Sequence, residues 1–120
     1  MAKNEEISLL LDFYGDMLTD KQKDVVSFYY NQDLSLSEIA ENEGITRQGV
    51  RDSIKRAETQ LLEMEERLGL VRTFLRTRDG LEQILRYARY IREHNDRGGR
   101  VKEIDEMAKS IEDAAKNLSL

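Results

Sequence analysis

The segment from Ser35 to Ala57, SLSEIAENEGITRQGVRDSIKRA, constrains the fold of this chain more than any other. Ser35-x-x-Glu38 is a capping box: the Ser hydroxyl accepts from the amide three residues on, and the Glu reaches back to the Ser amide. In the short helix that follows, Leu36, Ile39 and Ala40 face inward, and Glu38, Glu41 and Asn42 face water. Gly44 closes it, because helices commonly end on a residue of positive φ and glycine adopts that at least steric cost. Ile45 plugs the corner. Thr46 then caps a second helix, whose buried side continues through Val50, Ile54 and Ala57. Short helix, tight turn and longer helix make a helix-turn-helix.

In DNA-binding examples the second helix lies in the major groove and its first residues meet the base edges. Here the exposed positions are Arg47, Gln48, Arg51, Asp52 and Lys55, with Arg56 flanking. Arg and Gln pair bidentately with guanine and adenine. Thr46, Arg47, Gln48, Arg51, Lys55 and Arg56 are therefore the candidate nucleic-acid-binding residues. The same residues also suit a solvated helix face, and the motif is a shape that many functions reuse.

The rest of the chain reads as helix. It has no proline to interrupt one, and no run alternates as a strand would. A first helix is expected over residues 4–18, with Ile7, Leu10, Leu11, Tyr14 and Leu18 on its apolar stripe. Thr19-x-x-Gln22 is a second capping box. It opens a helix to about Asn31, carrying Val25, Val26, Phe28, Tyr29 and Tyr30. Beyond Ala57 the apolar spacing is 4-3-4-3-4-3-4 from Val50 to Leu75. This is a seven-residue repeat, the mark of a coiled-coil seam. Leu61, Met64, Leu68, Val71 and Leu75 are the candidate oligomer seam. They would pack either on later helices of the chain or on a second copy, as a homodimer. Gly69 is a place where this helix bends or breaks.

Thr77-Arg78-Asp79-Gly80 reads as a break. A helix from about Leu81 to His94 follows, with Leu81, Ile84, Leu85, Ala88 and Ile91 inward. After Asn95–Gly99 comes a last helix, with Val101, Ile104, Met107, Ala108, Ile111, Ala115 and Leu118 inward. The short connection makes the two an antiparallel hairpin. The expected fold is all-α. A helix-turn-helix bundle over residues 1–70 has a long second helix that continues into a helical C-terminal arm over residues 71–120.

The net charge is −5, which opposes strong non-specific DNA binding by the whole molecule. The positive charge is concentrated at residues 71–102, with eight Arg and one Lys against four acids. Arg86, Arg89 and Arg92 lie along one side of a helix there and form a candidate RNA-binding arm. Pairing with Glu82, Glu93 and the acidic last helix is the plainer alternative. A single His, no Cys and no phosphate-binding glycine loop leave no catalytic residues to nominate, no metal site and no cofactor. The contiguous acids Glu63, Glu65 and Glu66 read as solvated surface. No stretch approaches the roughly 20 apolar residues that span a membrane. The N-terminus is unlike a signal peptide, and the absence of Cys fits a reducing cytoplasm.

Residues 18–57 resemble region four of bacterial sigma factors, with its L-x-EIA-x-x-x-G-[IV]-[ST]-x-x-x-V pattern. A closer resemblance, from Leu9 to about Val71, is to the YlxM family of small bacterial proteins. LLLDFYGDMLTDKQ, YYNQDLSLSEIAE, ITRQGVRDSIKRAE and LEMEERLGLV carry it. Thr46, Arg47, Gln48, Val50, Asp52, Ile54, Lys55 and Arg56 match the family's helix-turn-helix, whereas Gly49 stands where the family usually has Ala. The resemblance implies a cytoplasmic, all-helical protein whose gene neighbours those of the signal recognition particle. It implies a regulatory or adaptor role with that particle's RNA or its GTPase protein. A sigma-like, DNA-binding transcription regulator is the alternative.

Overall fold

A computed structural model describes residues 5–119 of the chain. Among them are six α-helices and a short 3₁₀ turn, with no strand. The chain divides into two compact units, one ending at Arg72 and one beginning at Thr73.

In the first unit, α1 spans Glu5–Tyr14 and runs into the 3₁₀ turn Gly15–Met17. The helix expected to reach residue 18 thus tightens and stops four residues early; Asn4, its expected start, lies outside the described residues. Ile7, Leu10, Leu11 and Tyr14 are buried on one side of α1. Helix α2 spans Asp20–Tyr30, and Thr19 and Gln22 form both halves of its capping box. Helix α3, Leu36–Glu43, has the equivalent box from Ser35 and Glu38. Gly44 ends it at φ 67°. Helix α4, Arg47–Leu68, begins where the Thr46 hydroxyl accepts from the Gly49 amide. It packs against α1, α2 and α3. Val25, Tyr29, Ile39, Ala40, Val50 and Ile54 form the cluster at the centre. Leu34, Leu36 and Ile45 close around it. Burying a branched aliphatic side chain contributes about 1.5–3 kcal/mol, so this cluster is what holds the helix-turn-helix in shape.

Gly69 ends α4 at φ 63°, and α5, Leu70–Arg97, starts at once. The long helix expected from the heptad spacing is therefore two helices. The joint is built by residues the pattern did not nominate. The Glu65 carboxylate accepts from the amides of Val71 (3.0 Å) and Arg72 (2.9 Å), and from the Tyr14 hydroxyl (2.7 Å). Tyr14 in turn accepts from the Leu70 amide at 3.1 Å. Three free amides of the new helix are thus satisfied from the first unit's own side chains. Burial pushes the Glu65 carboxyl upward, but the Tyr14 hydroxyl, the two amides and the Arg72 guanidinium outweigh it and hold it below the usual glutamate range. Burial and the Glu65 hydrogen bond push the Tyr14 phenol above its usual value. Glu65 is an N-terminal cap for α5, not the solvated surface acid expected of it.

The second unit holds the rest of α5 and α6, Lys102–Leu118. Thr77–Gly80 is not a break: α5 runs straight through it. A lone interior glycine costs only about 1 kcal/mol relative to alanine, too little to end a helix by itself. The connection closes where the Asn95 side chain donates to the Val101 carbonyl and accepts from its amide. Helix α6 then returns antiparallel to α5, with Arg92 pairing to both Asp105 and Glu112. The buried positions here are Leu81, Ala88, Ala108, Glu112 and Ala115. Ile84, Ile91, Val101, Ile104, Met107, Ile111 and Leu118, expected inward, are exposed. The α5–α6 seam is lined by Leu81, alanines and an ion pair, and most of the large side chains stand on its flank.

Candidate nucleic-acid interface

The first turns of α3 and α4 meet at an open depression lined by Leu36, Ser37, Thr46, Arg47, Gln48 and Arg51. Both helices present their N-terminal amides here, the partially positive end of each backbone dipole. The Ser35 and Thr46 side chains each satisfy one of those amides, and others stay open to solvent or a ligand. Leu36 and Ser37 were not among the residues nominated from sequence. The capping box that fixes the start of α3 was the signal available.

Every nominated residue of the second helix is exposed: Thr46, Arg47, Gln48, Arg51, Lys55 and Arg56. Arg47, Arg51 and Lys55 follow one another at four-residue intervals, about 6 Å apart along the axis. Val50, Ile54 and Ala57 are buried on the other side and fix which way this cationic row points. Two acids neighbour it, each with a partner. Asp52 accepts from the Gln48 amide at 2.9 Å, and Glu58 accepts from the Tyr30 hydroxyl. The first bond ties up a donor that bidentate reading of adenine requires. Gln48 must break it to serve that way, whereas the arginines carry no such restraint.

The remaining nominated residues are spread through the chain. Arg86 and Arg89 are exposed on α5. Arg92 is not available beside them: it donates to Glu112 (2.8 Å) and Asp105 (3.3 Å) inside the hairpin. Removing it from the arm follows from the burial of Glu112, a carboxylate that needs a cation beside it. Within the proposed seam, Leu61 and Val71 are buried, Met64 and Leu75 are half-buried, and only Leu68 is exposed. These five do not form one open stripe, because Gly69 turns the backbone between Leu68 and Val71. Among the described residues, no group of three or more His, Cys, Asp or Glu side chains is placed to hold a metal ion. Among the same residues, no helix is long and apolar enough to cross a membrane.

Comparison with known proteins agrees with this architecture. Residues 1–104 match the model of the UPF0122 family, helix-turn-helix proteins described as YlxM / p13 like. The match passes well beyond Val71, where the quoted motifs end, and takes in all of α5. A UPF0122 protein of Acetivibrio thermocellus is 44% identical over 114 residues, covering 95% of this chain and 86% of the relative. One from Thermoanaerobacter is 44% identical over 107 residues, covering 89% and 92%. One from Listeria innocua is 50% identical over 72 residues, covering 60% and 66%. None of these relatives is named for an enzymatic activity. An all-α helix-turn-helix, the fit to the family model and relatives covered over most of their length together place this chain in the UPF0122, YlxM / p13-like family of helix-turn-helix proteins.

Proposed function

We propose that this chain is a cytoplasmic adaptor without enzymatic activity that binds nucleic acid through α3 and α4. We further propose that it serves as a regulatory component of the signal recognition particle pathway. The observation that carries the first part is the exposed row Arg47, Arg51 and Lys55 beside two helix N-termini. Such a surface suits phosphates. The particle enters through the family resemblance, and its RNA or its GTPase protein is the partner. Arg86 and Arg89 supply further cationic contacts for RNA. The sigma-like DNA regulator is the second reading. The Gln48–Asp52 bond ranks it below the first, since it occupies the side chain beside the row that is suited to reading adenine.

The test is binding to signal recognition particle RNA, its GTPase and random duplex DNA, each over a salt series. RNA or GTPase binding without duplex binding is expected. Arg47→Ala and Arg51→Ala are each expected to weaken RNA binding and to flatten the salt dependence by about one phosphate contact. Duplex binding lost in both variants would favour the DNA regulator. Absence of any nucleic-acid binding at low salt would remove the RNA half of the proposal.

A further inference from the structure

Among the described residues, the second unit carries an apolar face of its own that is left exposed. The face of α5 turned toward α6 is marked by Leu81, Ala88 and Arg92; that of α6 is marked by Asp105, Ala108, Glu112 and Ala115. At about 100° per residue, Ile84, Tyr87 and Ile91 fall to one side of the first row. Ile104, Met107 and Ile111 fall to one side of the second. Because the helices are antiparallel, these are the same side of the hairpin. All six are exposed, from 41% for Ile104 to 68% for Met107. The opposite side carries Arg86, Arg89 and Glu93 on α5 and Lys102, Lys109 and Asp113 on α6. The hairpin is thus amphipathic as a unit, one face aliphatic and aromatic, the other charged.

We propose that this face is the self-association surface of the protein, and that a second copy's hairpin covers it to make a four-helix bundle. Three observations select that occupant. The face is two parallel rows of large side chains flanking an alanine-lined groove, the shape that another such hairpin fills. Its charged neighbours stand clear of it: Arg86, Arg89, Glu93, Lys102, Lys109 and Asp113 lie on the opposite side and Arg92 is paired within the hairpin, so a second copy's apolar face meets it without burying an unpaired charge. A two-fold axis along the bundle places α5 of each copy opposite α6 of the other, antiparallel as within each hairpin. The area also suffices. The whole side of the hairpin, about 25 Å long and about 20 Å wide, offers roughly 500 Å² per copy, or about 1,000 Å² in all, the threshold for a specific interface. The six apolar side chains lie over about 11 Å of it toward the connection. This interface replaces the Leu61–Leu75 seam, whose members are partly buried, and it does not depend on which nucleic acid the first unit binds.

The full chain, examined by sedimentation equilibrium from low micromolar to sub-millimolar concentration, is expected to show twice the monomer mass. Ile84→Glu and Ile111→Glu, both at exposed positions, are each expected to raise the dimer dissociation constant by about 30-fold or more, the scale of an interface hot spot. Circular dichroism checks that helicity is kept. Met107→Asp, at a still more exposed position, serves wherever either variant loses helix. Leu68→Glu, exposed on α4 outside the hairpin, is expected to leave the dimer intact. A monomer throughout the range, a dimer indifferent to the folded hairpin variants, or a dimer dissociated by Leu68→Glu would each overturn the proposal.

Discussion

In the first unit, the side chains lost from solvent are large: Ile7, Leu10, Tyr14, Ile39, Ile54 and Leu61 are each at most 1% exposed. In the hairpin the buried positions hold one large residue, Leu81, with Ala88, Ala108, Ala115 and Glu112, and the isoleucines stand outside. Both regions obey the same helical period. They differ in what the period serves. In the first unit four helices converge, so the space between them must be filled by volume, and only large apolar residues fill it. In the hairpin only two helices meet. Alanines and Leu81 line the side where they meet, an ion pair joins them, and most of the large residues remain on a flank. The contrast teaches that a heptad of apolar residues reports a stripe, not what covers it.

The sharpest way to break this contrast is to truncate matched residues. Ile54→Ala is expected to destabilise the first unit by about 2–5 kcal/mol, the usual cost of such a cavity. Met107→Ala, measured dilute enough to keep the protein monomeric, is expected to cost less than about 0.5 kcal/mol. Similar losses in urea unfolding would erase the distinction.

The second test concerns what holds the hairpin. Arg92→Met strands the Glu112 carboxylate, whose Oε1 has no hydrogen-bond partner even with Arg92 present. The expected loss is up to about 3 kcal/mol, the low end for a broken buried pair because Arg92 is itself 35% exposed. Arg92→Met combined with Glu112→Leu is expected to recover most of it. A double variant no better than the single would show that the pair contributes by more than mutual neutralisation.

A smaller effect is expected at the joint between α4 and α5. Glu65→Gln keeps the size but weakens the cap on Val71 and Arg72, at a cost of about 1–2 kcal/mol near neutral pH. The Glu65 pKa is depressed in the fold. The folded protein therefore holds fewer protons there than the unfolded chain. The contribution is fully present above the ordinary glutamate value and is lost as pH falls from there through the depressed value of the fold. The variant's deficit should shrink along that acid limb. A deficit independent of pH would mean that packing, not the carboxylate, is what Glu65 supplies.

The smallest change is a gain. Gly80 sits mid-helix with nothing within 4 Å of where a β-carbon would stand. Gly80→Ala is expected to stabilise α5 by up to about 1 kcal/mol, seen as a raised unfolding midpoint. A loss would mean that the chain uses a break there after all.

Much of the first unit was legible in the residues. Two complete capping boxes, Gly44 and the Thr46 cap specify local conformations that depend on near neighbours alone. They placed α2, α3 and the start of α4 to within a residue or so. The candidate interface was legible for the same reason, since Arg47, Gln48 and Arg51 follow from the cap and the period. Glu65 was not, although it left a trace. An acid in the last turn of α4 opposes that helix's dipole, and the conflict disappears once it caps α5 instead. Gly69 and Gly80 looked alike as punctuation. The first has a cap waiting beyond it and ends a helix, whereas the second has none and does not.

What this sequence determined by itself is therefore local: an all-helical chain, a helix-turn-helix held by its own caps, and a short-looped hairpin. These depend on backbone φ, capping hydrogen bonds and period, all set within a few residues. Only the tertiary structure decided that Leu61 and Val71 are covered while Leu68 is not. Only it took Arg92 from a candidate arm into a buried pair, and left Ile84 and Ile111 facing water. Which stripe is buried depends on the elements that reach it, and that is a property of the assembled helices rather than of any one of them.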